Sequence, residues 1–260
     1  MHEINYSDGE TVELDFQEKG HKYLVNGEYV PAVTTILGAT MAKPGLIYWA
    51  AGAGANWFTE NCTEVGVYYS VDHMRTNEVA NGIKTAHSRI AQESRDIGTE
   101  VHTYIEKFVR NKLGNSKGKL PKPSGERAAN SVKAFHSWFA ENEVKFISAE
   151  EKIYNREHKF AGTVDAVAEV NGEFCLVDWK TSNSIYDEMY LQCAAYAKTA
   201  DTMYDRNIEA TYILRLDKDV GEYQSIRSSL HDEYFDIFIH ALSLYNGLNN
   251  IKSLIKSDRA

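Results

Sequence analysis

Apolar and polar positions alternate at strand period in several stretches of the chain, and a turn signal interrupts three of them. His21-Lys22-Tyr23-Leu24-Val25 is followed by Asn26-Gly27 and then Glu28-Tyr29-Val30, which predicts a tight hairpin that Pro31 ends or places at an edge. A strand is predicted near Ser148 to Tyr154, and a second Asn-Gly hairpin over Phe160 to Trp179, turning at Asn171-Gly172. A third hairpin runs from Ala210-Leu216 through a five-residue turn to Glu222-Arg227. Between these runs the period becomes helical. Residues 44 to 95 carry an irregular apolar face, with Leu46, Ile47, Trp49, Ala50, Trp57 and Phe58, which Gly52 and Gly54 weaken. Over 96–113, Val101, Ile105, Phe108 and Val109 share one helical face. Further helices are predicted over 126–143, 185–203 and 230–256, the last carrying Phe235, Phe238, Ile239, Leu242, Tyr245, Leu248, Ile251 and Leu254.

The central hairpin has chemical consequences. A two-residue turn at Asn171-Gly172 pairs Val170 with Glu173, and the same register carried back sets Asp165 opposite Asp178. Opposed residues share a sheet face, with Cβ atoms about 4.5–5.5 Å apart. Lys180, two residues past Asp178, points the same way, and the Trp179 side chain alternates to the other face, into the core. Two adjacent carboxylates need a shared proton or a cation. Carboxylate oxygens suit Mg²⁺ or Mn²⁺, and a lysine beside such an ion can position a water or stabilise charge on a phosphate.

Gly162-x-x-Asp165, Asp178-Trp179-Lys180 and Gln192-x-x-x-Tyr196, in that order, resemble the core of the PD-(D/E)XK nuclease superfamily, and most of all its RecB-type exonuclease branch, which includes mitochondrial and phage enzymes. Gly98-Thr99-x-x-His102 is similar to the Gly-x-x-x-His motif of that branch. The resemblance implies an α/β fold with a restriction-endonuclease-like core, a central mixed β-sheet flanked by helices, elaborated by an N-terminal β-hairpin and helices. It implies a metal held by His102, Asp165, Asp178 and the backbone carbonyl of Trp179, with Lys180 assisting. Gln192 and Tyr196, one helical turn apart, would hold the DNA backbone or the catalytic side chains. Family members often carry a glutamate in the strand before Gly-x-x-Asp. Glu151 is the matching position and Glu150 competes for it, either as an auxiliary ligand or as polar strand surface. Glu106, four residues after His102, either orients that histidine or is an exposed charge.

The basic, Gly/Pro-rich stretch 110–127 contains Lys117, Lys119 and Lys122, which are either a solvated loop or a phosphate contact at the mouth of the site. Tyr68 and Tyr69 are expected in a loop or helix end, either packing a helical layer or stacking on unpaired bases.

Composition narrows the alternatives. The chain has 260 residues, 43% hydrophobic and 25% charged, as in an ordinary globular protein. We expect a single nuclease domain over 1–260, with an elaboration over 1–95, a catalytic core over 96–230 and a closing helix over 231–260. A net charge of −9 argues against a broadly basic DNA-coating surface, so phosphate attraction must be local. Three separated cysteines, Cys62, Cys175 and Cys193, form neither a CxxC site nor the four-cysteine set of an iron–sulfur cluster, so no cluster is expected. No apolar run approaches a membrane span and the N-terminal stretch is acidic, so neither a membrane segment nor a signal peptide is expected; the cysteine usage fits reduced thiols in a cytoplasmic protein, and the resemblance implies phage or bacterial origin with DNA as the partner. The implied activity is metal-dependent exonuclease action on single-stranded DNA ends. The alternatives are an endonuclease with the same core and a non-catalytic DNA-binding relative.

Overall fold

The computed structural model describes the backbone of residues 1–65, 68–70 and 76–258, and side chains over the same range except 63–65, 68–70 and 256–258. Tyr68 and Tyr69 fall in a short strand, not a loop or helix end, and their side chains lie outside the described residues. The described chain is mixed α/β, with six helices, a four-stranded and a five-stranded sheet and one two-stranded ribbon. It divides into two compact units, 42–99 and 1–41 with 100–260.

The smaller unit contains helix α2 (Gly45–Asn61), the ribbon β5 (Thr63–Val65) with β6 (Tyr68–Ser70), and the first part of helix α3 (Thr76–Lys112). Of the two glycines that weaken α2 on propensity, Gly54 is offset by packing, since it is buried against Ile83 of α3, while Gly52 is exposed. Helix α3 begins twenty residues before the segment whose amphipathic period is clearest and runs on into the larger unit.

In the larger unit the N-terminal sheet is β1 (His2–Asn5), β2 (Thr11–Gln17), β3 (Lys22–Val25) and β4 (Glu28–Val30), paired in that order. The β3–β4 turn is the Asn26-Gly27 turn predicted, with φ of 52° and 79°. Val33-Thr34-Thr35-Ile36-Leu37 follows Pro31 as helix α1 (Val33–Thr40) despite its β-branched residues. Val33, Ile36 and Leu37 are buried there, and that burial overrides propensity.

The five-stranded sheet has the order β11-β10-β9-β8-β7. Its strands are β7 (Val144–Asn155), β8 (Phe160–Val170), β9 (Glu173–Lys180), β10 (Ala210–Leu216) and β11 (Tyr223–Ser228). β9 and β10 are parallel and the other neighbours antiparallel. Parallel strands need a crossover, and helix α5 (Asp187–Ala200) supplies it. At the β8–β9 turn, Asn171 and Gly172 have φ of 52° and 87°, the left-handed pair a two-residue hairpin turn requires.

Each face of this sheet has its own core. α5, α1 and helix α6 (His231–Asp258) share one cluster with Phe160, Val164, Val167, Phe174 and Leu176. On the other face, Phe135 and Phe139 of helix α4 (Glu126–Glu141), with Phe108 and Phe146, form an aromatic cluster that meets the buried Trp179 ring edge-on. Trp179 is thus in the core, as its alternation with Asp178 and Lys180 requires. The N-terminal sheet is tied to the edge of this sheet, with Tyr6 Oη donating to the Tyr154 carbonyl at 2.7 Å and Tyr23 Oη 2.8 Å from Thr163 Oγ1. No helix among the described residues is long and apolar enough to cross a membrane.

Candidate metal centre

The predicted hairpin register holds from Val170–Glu173 to Ala166–Val177 and there it ends. Asp165 and Asp178 are the next positions, but they are not a ladder pair. β8 stays with β7 and β9 with β10, so the two strands part. Past the last pair, the Trp179 N–H donates to Asp165 Oδ2 at 2.9 Å. A side-chain carboxylate therefore occupies the place of a ladder acceptor, and Asp165 is fixed by the backbone of the strand that carries Asp178 and Lys180.

A second irregularity lies on the other side of Asp165. β7 and β8 pair at Ala149–Ala166 and again at Glu151–Val164, leaving Glu150 across from Asp165 with φ of 51°, in the left-handed region. Residues three apart on a regular strand face opposite ways. Yet Val164 and Val167 share one core cluster, and Ser148 Oγ donates to Glu151 Oε2 at 2.6 Å. Alternation thus slips by one residue on both strands at Glu150 and Asp165. The slip sets Glu150, not Glu151, beside Asp165. Glu151 accepts the Tyr204 hydroxyl at 2.5 Å and serves the sheet-face packing instead.

His102 of α3 completes the group. One ligand atom from each of His102, Glu150 and Asp165 lies within 4.8 Å of the others. His102 Nδ1 is 3.5 Å from Asp165 Oδ1. Burial opposes charge on the imidazole, but Asp165 outweighs it and His102 is held more basic than usual. The same holds for Asp165, whose pKa burial would raise but the charges on His102 and Lys180 bring down. Burial, reinforced by Asp165, pushes the Glu150 carboxyl up to about 7.

Next to this group, Lys180 Nζ is 2.6 Å from Asp178 Oδ2. The Lys180 ammonium is the charge partner of this buried oxygen. Burial pushes the Asp178 carboxyl up to about 6, and Lys180 stays more basic than usual because Asp178 and Asp165 outweigh its own burial. Gln192 of α5 accepts from Lys180 Nζ and donates to Asp178 Oδ1, each at 3.3 Å, and its amide also donates to Tyr196 Oη at 3.3 Å. Tyr196 is buried and lies over Gly162, where a Cβ would stand 2.4 Å from the ring carbon Cε1. The glycine three residues before Asp165 therefore makes room for the ring that holds Gln192.

The remaining predicted residues make contacts of their own. Glu106 pairs with Arg110 Nε at 2.7 Å. Trp179 contributes its N–H to the site. Lys117, Lys119 and Lys122 are exposed in the loop between α3 and α4, which is tied to α3 by Lys107 Nζ on Ser116 Oγ at 2.6 Å and Asn111 Nδ2 on the Gly118 carbonyl at 3.0 Å. Lys218, which the sequence did not single out, is buried and donates to the Thr181 carbonyl at 2.9 Å and Asn183 Oδ1 at 3.1 Å. It pins the turn that follows Lys180, and no local sequence signal marks it.

One imidazole and two facing carboxylates form an oxygen-rich donor set that fits Mg²⁺ or Mn²⁺. A scan against protein-family models matched none, and a search of curated proteins returned no match.

Proposed function

We propose that the five-stranded sheet is the restriction-endonuclease-like core of a PD-(D/E)XK nuclease, and that the protein is a divalent-metal-dependent deoxyribonuclease acting from single-stranded DNA ends. One observation carries this reading: His102, Glu150 and Asp165 converge within 4.8 Å beside a buried Asp178–Lys180 pair. The order of Asp165, Asp178, Lys180, Gln192 and Tyr196 along the chain adds the resemblance to the exonuclease branch.

His102, Glu150 and Asp165 would hold the cation, with Asp178 completing the acidic set. When bound, it supplies Lewis acidity toward a phosphate oxygen and a water of lowered pKa. The protein's own groups do the rest. Trp179 N–H keeps Asp165 aimed at the site. Lys180 stays charged and is steered by Asp178 and Gln192, so its remaining donors can meet negative charge developing on the phosphate. Tyr196 and Gly162 fix Gln192 and therefore Lys180. Cleavage with the 3′-oxygen leaving, to give 5′-phosphate products, is what the resemblance implies.

The test is digestion of end-labelled linear single- and double-stranded DNA and of circular single-stranded DNA with Mg²⁺ or Mn²⁺. Linear single strands are expected to shorten from an end while the circle stays intact. Asp165→Asn and Lys180→Ala are expected to lower the rate by about a hundredfold or more, the scale of removing a group that stabilises transition-state charge. Cutting of the circle would replace exonuclease by endonuclease. Full activity in both variants, or none in the parent protein, would overturn the reading.

A further inference from the structure

Residues 113–125 join α3 to α4 and contain neither helix nor strand. Connections of that length are uncommon in compact folds, and ordered ones are usually functional. This one is fastened at three places. Lys107 Nζ donates to Ser116 Oγ at 2.6 Å and Asn111 Nδ2 to the Gly118 carbonyl at 3.0 Å. Ser124 donates its N–H and its hydroxyl to the Glu100 carboxylate, the hydroxyl at 2.6 Å. At 100° per residue, Glu100, Lys107 and Asn111 fall within about 40° of one another on α3. The connection is therefore a strap along one stripe of that helix. From Asn111 back to Glu100 is about 16 Å at 1.5 Å per residue. Six residues of strap, from Gly118 to Ser124, cover that span, so they run close to extended. Pro121 and Pro123 hold the residues before them, Leu120 and Lys122, in the same form.

Charge selects the partner. From Lys107 to Gly125 the chain has six Lys or Arg residues and no Asp or Glu, although its net charge is −9. Three of the six are occupied: Lys107 by Ser116, Arg110 by Glu106, and Lys112 over the Phe108 and Phe139 rings. Lys117, Lys119 and Lys122 are exposed on the strap, and among the described residues none of them is in an ion pair. On the five-stranded sheet, by contrast, Lys145, Arg206 and Arg227 are each neutralised by a glutamate. Like charges held on an ordered strap repel one another, and a polyanion laid along them relieves that repulsion. A phosphodiester backbone, whose charges are also regularly spaced along a line, fits such a row. The strap also ends beside the candidate site. Arg127, which follows it in the first turn of α4, donates to Asp219 Oδ1 at 2.9 Å. The preceding residue, Lys218, donates to the carbonyl of Thr181, next to Lys180.

We propose that the strap is a pre-ordered phosphate ledge, on which Lys117, Lys119 and Lys122 hold the backbone of a single DNA strand outside the site while its end lies at Lys180. The identity of the strand rests on the nuclease reading above. The ledge itself is read by binding alone, without cleavage.

The experiment is fluorescence anisotropy of a labelled oligothymidylate with the full chain in EDTA, where cleavage is stopped, over a series of salt concentrations. The parent is compared with Lys117→Ala/Lys119→Ala/Lys122→Ala and with Asn111→Ala/Ser124→Ala. Each phosphate contact contributes about 0.7 to the slope of log K against log salt for a single strand. The triple variant is therefore expected to lose about 2 from that slope and to bind about tenfold or more weakly at low salt. Its circular dichroism and melting temperature should not change, because the replaced side chains are exposed. The double variant keeps every lysine but loosens the strap. It is expected to keep most of the slope and to bind more weakly, since the strap must then be ordered on binding. No binding by the parent, equal slopes in parent and triple variant, unchanged affinity in the double variant, or displacement of the oligonucleotide by polyaspartate at equal charge would overturn the proposal. Loss of slope in the triple variant with no cleavage by the parent in Mg²⁺ or Mn²⁺ would leave the ledge standing and overturn the nuclease reading instead.

Discussion

At the residue scale, neighbours of the same type have different jobs. Glu150 faces Asp165 and His102, while Glu151 accepts from Tyr204 and Ser148. Glu150→Gln is expected to weaken Mn²⁺ binding about tenfold or more by isothermal titration calorimetry. Glu151→Gln is expected to leave binding nearly unchanged and to cost about 1–2 kcal/mol in urea melts, because the half-buried Tyr204 hydroxyl loses its charged acceptor. Gly162→Ala tests the packing behind the lysine. A Cβ at 2.4 Å from the Tyr196 ring forces the ring to shift. The expected result is about 1–3 kcal/mol of lost stability, with a fall in the proposed nuclease rate through displaced Gln192, measured by melts and end-label digestion in parallel. The motif residues Gly162, Asp165, Asp178, Lys180, Gln192 and Tyr196 were all legible in the sequence. Glu150 was legible only as a competitor, because choosing it depends on a slip in strand alternation that no local pattern records.

At the element scale, the hairpin at the centre of the sheet rests on its turn. Gly172 has φ of 87°, where a β-branched side chain is strained. Gly172→Val is expected to cost about 1–2 kcal/mol, the penalty of a left-handed position without glycine. Chemical denaturation would check it, with Gly114→Val, also at positive φ but in the exposed loop after α3, as a comparison for strain away from the sheet. The Asn-Gly turns and the long closing helix could be read from the chain because turn chemistry and period act within a few residues. The helix at Val33–Thr40 could not, since its β-branched sequence is helical only because Val33, Ile36 and Leu37 find a core to enter. Nor could the end of the β8–β9 ladder, which depends on which neighbour each strand keeps.

At the scale of the whole molecule, burial makes the larger unit sensitive to alkaline pH. Folding pushes the thiol of Cys175 and the hydroxyl of Tyr23 up to about 12, through burial first of all, and Cys193 and Tyr196 rise for the same reason. The folded chain therefore keeps protons that the unfolded chain releases from its thiols near pH 9 and its phenols near pH 10. The stability these groups contribute is complete below pH 9 and is lost as pH rises from 9 through about 12. Urea melts at pH 8, 9 and 10 should show midpoints falling with pH. At pH 8 a thiol reagent should modify Cys62 in the native protein, with Cys175 and Cys193 reacting only after unfolding.

The sequence by itself determined the elements whose signals are local: the hairpins and their turns, the amphipathic helices, and the order in which Asp165, Asp178, Lys180, Gln192 and Tyr196 arrive. Side-chain period and turn residues act over a few positions, so one strand of text suffices to read them. Tertiary structure alone decided that β8 and β9 part at Asp165, that Glu150 takes the place beside it, and that one stripe of α6 is buried while the other faces outward. Each of those outcomes depends on which segments, far apart in the chain, compete for the same sheet edge or the same apolar face.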